Sequence, residues 1–251
     1  MERKTDTRTY KLNHAIPDSP SHGKFTFDRQ GLIELTHNYG TESDDNYRST
    51  YQTLAKAGYK FQQDVASGNE RVIALDPDGY WIHIIEQDSP NVNVSSDAAG
   101  LSSVNRYALR VTDAPRSVRY YTEILGMKLI KTLKHESGNS KTFLLGYPST
   151  GSFAGTEDMS RREGLLALIW QDGENTIPQV HNGNDQPQGF GHICVTVDNI
   201  DAACARLEGL NVAWKKRLTD GKMKNVAFLL DPDNYWIELV QNEGFTGKAN
   251  F

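Results

Sequence analysis

The sequence has few cysteines and no long hydrophobic run. Its two cysteines, Cys194 and Cys204, have the spacing of neither a zinc ribbon nor a redox motif. No stretch reaches the roughly 18 apolar residues that a membrane-spanning helix needs, and the first residues do not form the apolar segment of a signal peptide. We therefore expect a cytoplasmic protein with two free thiols.

The sequence also lacks an excess of basic residues over acidic ones. The 27 Lys and Arg residues against 32 Asp and Glu residues give a formal net charge of −5, whereas nucleic-acid-binding proteins usually have a basic surface. Glycine-rich phosphate loops and nucleophile-elbow motifs do not occur. The composition, with 37% hydrophobic and 24% charged residues, is that of a folded globular protein. The expected partner is a small molecule, not nucleic acid or a membrane.

What the sequence does contain is an internal duplication. The matched segments are LNHAI at 12–16 with VNRYAL at 104–109, RQGLIELTHNYG at 29–40 with RREGLLALIWQDG at 161–173, and LDPDGYWIHII at 75–85 with LDPDNYWIELV at 230–240. The two intervals between these segments are longer in the second copy, by 41 and 22 residues. The first copy is therefore a shortened version of the second.

The duplication predicts two domains. We assign residues 8–88 to a shortened N-terminal domain, 89–103 to a linker rich in Ser, Asp and Asn, 104–241 to a complete C-terminal domain and 242–251 to a tail.

Hydrophobic periodicity in the complete half predicts strands and helices that alternate as two βαβββ units, an α+β fold. The predicted helices are 114–125 and 200–208. The predicted strands are 107–111, further strands up to 147, 165–170, 191–197, 212–216, 226–230 and 235–240, the last two forming a hairpin.

Three ionisable residues occur in otherwise apolar strands: Glu34, His192 and Glu238. A carboxylate that is buried without a partner is costly, so each of these positions needs an explanation. From the residues alone two explanations stay open. Glu34 lies either at a solvated sheet edge or at a site, and His192 is either a hydrogen-bonded structural histidine or a ligand.

Five motifs taken together favour a site. ELTHN at 34–38, HNGN at 181–184, GFGHI at 189–193, GKMK at 221–224 and DPDNYWIE at 231–238 resemble, in this order, the glyoxalase I (lactoylglutathione lyase) family of the vicinal-oxygen-chelate superfamily, in its duplicated single-chain form. The resemblance implies paired βαβββ units and a bound divalent metal. It also implies conversion of the hemithioacetal of glutathione and methylglyoxal to S-lactoylglutathione.

The resemblance further implies a metal site shared between the two copies, with ligands His14, Glu34, His192 and Glu238. A second, reciprocal site would need Arg106, Ala167 and His83 together with a strand that the first copy lacks, so we expect one site to be kept and one lost. Nitrogen and oxygen donors of this kind suit Zn²⁺, with Ni²⁺ or Co²⁺ as alternatives.

By the same resemblance Glu238 is the main catalytic base, and Glu34 is its counterpart across the metal. The residues that match glutathione-binding positions of the family are Asn38, Lys216, Lys222 and Met223. Two family positions differ: no arginine follows His14 by four residues, and Gln188 replaces a basic residue.

Two other interpretations compete with a monomeric glyoxalase I. The shortened first copy predicts a diverged relative that binds without catalysis, because the lost segments would remove much of a sheet. A site of two histidines and one glutamate would also suit an iron dioxygenase of the same superfamily.

Overall fold

A computed structural model describes residues 62–64, 71–75, 81–84, 104–134, 139–148, 162–171, 180–185, 189–221, 223 and 225–247. The described strands fall into two compact units. One contains the three strands between residues 62 and 84, and the other contains all described residues from 104 onward.

The first unit contains an antiparallel sheet of β1 (Gln62–Asp64), β2 (Arg71–Leu75) and β3 (Trp81–Ile84), in that order. Leu75 pairs with Trp81 across the β2–β3 hairpin. The corresponding hairpin of the second copy pairs Leu230 with Trp236. The repeat seen in the sequence thus has the same backbone register in both copies.

The second unit begins with a βαβββ unit, which we call the first module. Its elements are β4 (Arg106–Val111), α1 (Ala114–Arg119), a π-helical continuation of α1 (Tyr120–Ile124), β5 (Lys128–Lys134), β6 (Ser140–Gly146) and β7 (Leu165–Gln171). The sheet order is β4-β7-β6-β5, with β4 and β7 parallel.

Helix α1 begins at a clear N-cap, because the Asp113 side chain accepts a hydrogen bond from the backbone N–H of Arg116 at 2.9 Å. A proline in the first turn suits this position, where its missing N–H costs nothing. The predicted helix of 114–125 is confirmed in extent, and its π-helical second half was not foreseen.

A second βαβββ unit, the second module, repeats the pattern. It consists of β8 (His192–Val197), α2 (Ile200–Gly209), β9 (Ala213–Lys216), β10 (Val226–Leu230) and β11 (Trp236–Gln241), followed by the short helix α3 (Glu243–Thr246). The order is β8-β11-β10-β9, with β8 and β11 parallel. The predicted α+β fold of paired βαβββ units is confirmed.

The two modules share one hydrophobic core, to which each sheet contributes alternate strand positions. Leu109, Val111 and Leu168 come from the first sheet, and Leu229, Ile237 and Leu239 come from the second, all buried. The opposite faces of the strands are therefore the ones available for a site. No helix in the described part of the chain is long and apolar enough to cross a membrane.

Two buried carboxylates in the β10–β11 turn join the modules. The Tyr121 hydroxyl donates to Asp231 Oδ2 at 2.8 Å, and the hydroxyls of Thr112 and Ser117 donate to Asp233. Asp231 Oδ1 also accepts from the backbone N–H groups of Asp233 and Tyr235, at 2.9 and 2.8 Å. Burial raises the pKa of the Asp231 carboxyl to about 6 despite these donors. The turn before β11 is thus fixed to α1 of the other module.

Candidate metal centre

The structure brings His192 and Glu238 together. In the parallel pair of β8 and β11, His192 lies opposite Trp236, and Cys194 lies opposite Glu238. Because residues two apart share a strand face, the His192 and Glu238 side chains are on the same face. His192 Nε2 lies 3.2 Å from Glu238 Oε2.

Glu238 has an unsatisfied oxygen in this position. The residue is 7% exposed, and among the described residues no donor makes a hydrogen bond to Oε2, since the imidazole approaches closely but out of hydrogen-bonding geometry. A buried carboxylate oxygen without a donor costs stability. A divalent cation between the carboxylate and the imidazole would remove this cost, so the two residues fit a metal ligand pair.

The described part of the chain supplies two of the four expected ligands. It contains no group of three or more His, Cys, Asp or Glu side chains arranged to hold a metal. His14 and Glu34, which are expected to complete the centre, lie outside the described residues, as do Asn38 and Lys222.

Lys216 and Met223 lie close to each other at the edge of the same sheet. Lys216 pairs with Phe228, and Phe228 pairs with Glu238, so the three residues form one row across the site face. The Lys216 ammonium donates to the backbone carbonyls of Met223 at 2.7 Å and Val226 at 2.6 Å. Lys216 therefore closes the loop that carries Met223, whose side chain is exposed.

Aromatic residues that sequence reasoning did not single out surround the His192 ring. The Phe228 ring packs edge-on against the imidazole, with centroids 5.3 Å apart, and Phe228 contacts Trp236 at 5.7 Å. Two signals could have identified them. Trp236 precedes Glu238 by two residues and therefore shares its face, and the hairpin register places Phe228 opposite Glu238.

The first module has the same parallel strand pairing as the second but lacks the metal-ligating residue types. Arg106 lies opposite Leu165, and Ala108 lies opposite Ala167, so Arg106 and Ala167 occupy the places that His192 and Glu238 hold in the second module. The Arg106 Nε–H donates to Asn105 Oδ1 at 2.7 Å. Neither a guanidinium nor a methyl group ligates a metal.

His83, the third residue expected at a reciprocal site, lies on β3. His83 pairs with Ile73 on β2, which is the register that Glu238 has with Phe228 in the second copy.

Comparison with known proteins places the chain in a family. A model of the Glyoxalase/Bleomycin resistance protein/Dioxygenase superfamily matches residues 103–239. The lactoylglutathione lyase of Schizosaccharomyces pombe is 37% identical, over 90% of this chain and 81% of that protein. The glyoxalase I of Saccharomyces cerevisiae is 33% identical, over 90% of this chain and 77% of that protein. The chain belongs to the glyoxalase I family.

A solved member of the glyoxalase I family has the same fold. Glyoxalase I from Zea mays superimposes with a TM-score of 0.57 at 22% identity, covering 86% of this chain and 75% of that one. The family carries a metal cofactor, and the unsatisfied Glu238 oxygen beside His192 fits that expectation.

Proposed function

We propose that this chain converts the hemithioacetal of glutathione and methylglyoxal to S-lactoylglutathione at one retained site, formed by His14, Glu34, His192 and Glu238. Membership of the glyoxalase I family supports the reaction. The observation that carries the site is the His192–Glu238 pair on one sheet face, with the buried Glu238 Oε2 lacking a hydrogen-bond donor among the described residues.

Glu238 is suited to move the proton. The substrate carbon bears a weakly acidic C–H next to a carbonyl, and the reaction carries this proton to the neighbouring carbon. A bound divalent metal supplies Lewis-acid stabilisation of the negative charge that develops on the substrate. Glu238 removes the proton from one carbon and returns it to the next, while Glu34 acts as ligand and as the second proton carrier.

The surroundings of Glu238 keep water away from this transfer. Glu238 lies on β11, which is flanked in the sheet by β10 with Phe228 on one side and by β8 on the other. The residue is 7% exposed. Few waters can therefore compete for the proton. The imidazole of His192 is held against the Phe228 ring, which limits the orientations it can adopt as a ligand.

Positive charge and amide groups around the site would bind glutathione through its carboxylates. In the proposal Lys216, Lys222 and Asn38 have this role through their side chains, and Met223 contributes only through its backbone amide. Lys216 lies in the same row as Glu238 and holds the backbone at Met223. The proposal takes Zn²⁺ as the bound metal, with Ni²⁺ and Co²⁺ as alternatives, and a cytoplasmic monomer as the working form.

The test is thioester formation from the hemithioacetal, followed by absorbance. Metal-stripped protein is reloaded in turn with Zn²⁺, Ni²⁺, Co²⁺ and Fe²⁺, and Glu238→Gln is assayed beside the wild type. We expect metal-dependent turnover that Glu238→Gln lowers by at least about a hundredfold. A folded, metal-loaded wild type without turnover would leave the non-catalytic interpretation, and turnover of a catechol with Fe²⁺ alone would favour the dioxygenase.

A further inference from the structure

The segment before β8 contains a tight turn at Asn182–Asn184. Gly183 adopts a positive φ of 76°. A Cβ atom there would lie 1.8 Å from the carbonyl oxygen of Phe190, and the Gly189 N–H donates to the Gly183 carbonyl at 2.9 Å. Only glycine fits such an approach. The turn therefore packs directly against the backbone that leads into His192.

Two asparagine side chains connect this turn to the beginnings of both site strands. The Asn184 Nδ2 donates to the Gly191 carbonyl at 2.5 Å, one residue before His192. The Asn182 Nδ2 donates to the Asn234 carbonyl at 3.2 Å, two residues before Trp236. Trp236 is the residue that pairs with His192 across the parallel strands. The turn thus bridges the two strands at the level of the candidate ligand.

The two asparagines also hold each other in place. The backbone N–H of Asn184 donates to Asn182 Oδ1 at 2.8 Å, and the Asn182 Nδ2 has a second acceptor in Asp185 Oδ2 at 3.2 Å. The Asn182 amide is therefore used at both its oxygen and its nitrogen. Because both the oxygen and the nitrogen of the Asn182 amide make hydrogen bonds, this side chain has one defined orientation. Its bond to the Asn184 N–H in turn restricts the position of Asn184.

We propose that Asn184, supported by Asn182, is a positioning residue for the metal centre: by fixing the Gly191 carbonyl it fixes the backbone from which the His192 imidazole projects towards Glu238. The proposal rests on the proposed function, because it takes His192 and Glu238 as ligands. Groups that orient ligands tune metal affinity by about 10- to 100-fold.

The test measures metal affinity directly. Metal-free wild type, Asn184→Ala and Asn242→Ala are titrated with Zn²⁺ in competition with a chelating indicator. Asn242 is a matched control, because its side chain joins the far ends of the same two strands by donating to Asp198 Oδ1 at 3.2 Å. We expect Asn184→Ala to raise the Kd for Zn²⁺ about tenfold and Asn242→Ala to leave it unchanged.

The competing results have separate meanings. Wild type that binds no Zn²⁺ would refute the proposed function itself, whereas wild-type affinity in a folded Asn184→Ala would refute only the positioning role. An equal loss in Asn242→Ala would also refute it, since it would indicate a general effect of strand stability. Should Asn184→Ala fail to fold, Asn182→Ala gives the same test, because it removes the acceptor that orients Asn184.

Discussion

The Tyr121 hydroxyl donates a 2.8 Å hydrogen bond to Asp231, and this bond joins the helix of one βαβββ unit to the hairpin turn of the other. Both residues are buried, at 0% and 4% exposure. Asp231 directly follows β10 and lies in the turn that leads into β11, the strand that carries Glu238. The contact between the paired modules therefore contains an ionisable carboxyl group.

This relationship predicts an unusual pH dependence. Because burial raises the Asp231 pKa from 3.8 to about 6, the folded state binds the proton more tightly than the unfolded state. The tighter proton binding adds stability to the folded state. This added stability is fully present below about pH 4 and is lost as the pH rises through about 6. A shift of this size is worth about 3 kcal/mol in the free energy of unfolding.

Urea unfolding of the wild type and Asp231→Asn between pH 4 and 7 tests this pH dependence of stability. The amide introduced by this substitution does not titrate in this range, and other carboxyl groups contribute equally to both proteins. We expect the stability of the variant relative to the wild type to increase with pH by up to about 3 kcal/mol. A constant difference would show that Asp231 titrates normally in the folded state.

A second prediction concerns the unsatisfied oxygen of Glu238. Replacing the carboxylate in Glu238→Gln should leave the metal-free protein at least as stable as the wild type, because it removes a buried carboxylate whose Oε2 has no hydrogen-bond donor among the described residues. Zn²⁺ at 100 times its Kd should stabilise the wild type by about 2.7 kcal/mol and the variant far less. Thermal unfolding with and without Zn²⁺ measures both effects. A variant that is destabilised without metal and still stabilised by Zn²⁺ would contradict the ligand role.

A third prediction separates two roles of Lys216. Its ammonium is bound to the carbonyls of Met223 and Val226, so Lys216→Met should loosen the loop between β9 and β10 while leaving Glu238 in place. We expect the KM for the hemithioacetal to rise about tenfold or more with a smaller change in kcat, and proteolytic cleavage in 217–225 to become faster. Lys131→Met, at an exposed lysine on β5 of the first module, is the control. A fall in kcat at unchanged KM would place Lys216 in the chemical step.

Most of the C-terminal fold could be predicted from the sequence, because the apolar residues alternate or recur at helical spacing. The hairpin of 226–230 and 235–240 is found within one residue of the prediction. The same periodicity could not predict the π-helical segment Tyr120–Ile124, which has the same apolar spacing as an α-helix over one turn.

The candidate site was predictable only through motifs. His192 and Glu238 are far apart in the sequence, and only the parallel pairing of β8 and β11 brings them within 3.2 Å. The contribution of Phe228 follows from the hairpin register, whereas the contact of Asn184 with the Gly191 carbonyl depends on a turn that the HNGN motif marks without showing its partner. The expected partners His14 and Glu34 stay predictions.

A final prediction concerns the first module, where Ala167 occupies the place of Glu238. Ala167 is 2% exposed, so Ala167→Glu would bury a carboxylate and destabilise the protein by about 3 kcal/mol or more. Ala108, directly opposite on β4 and exposed, is the matched control, and Ala108→Glu should change stability by less than about 0.5 kcal/mol.

The same variant tests whether one carboxylate can restore the second centre. Arg106 stands where a histidine would be needed, and the first copy has no counterpart of GFGHI to complete a ligand set. We therefore expect the Zn²⁺ content of Ala167→Glu, measured by elemental analysis, to stay at that of the wild type even when Arg106→His is added. A second equivalent of Zn²⁺ in the double variant would show that the first copy still contributes ligands to a reciprocal site.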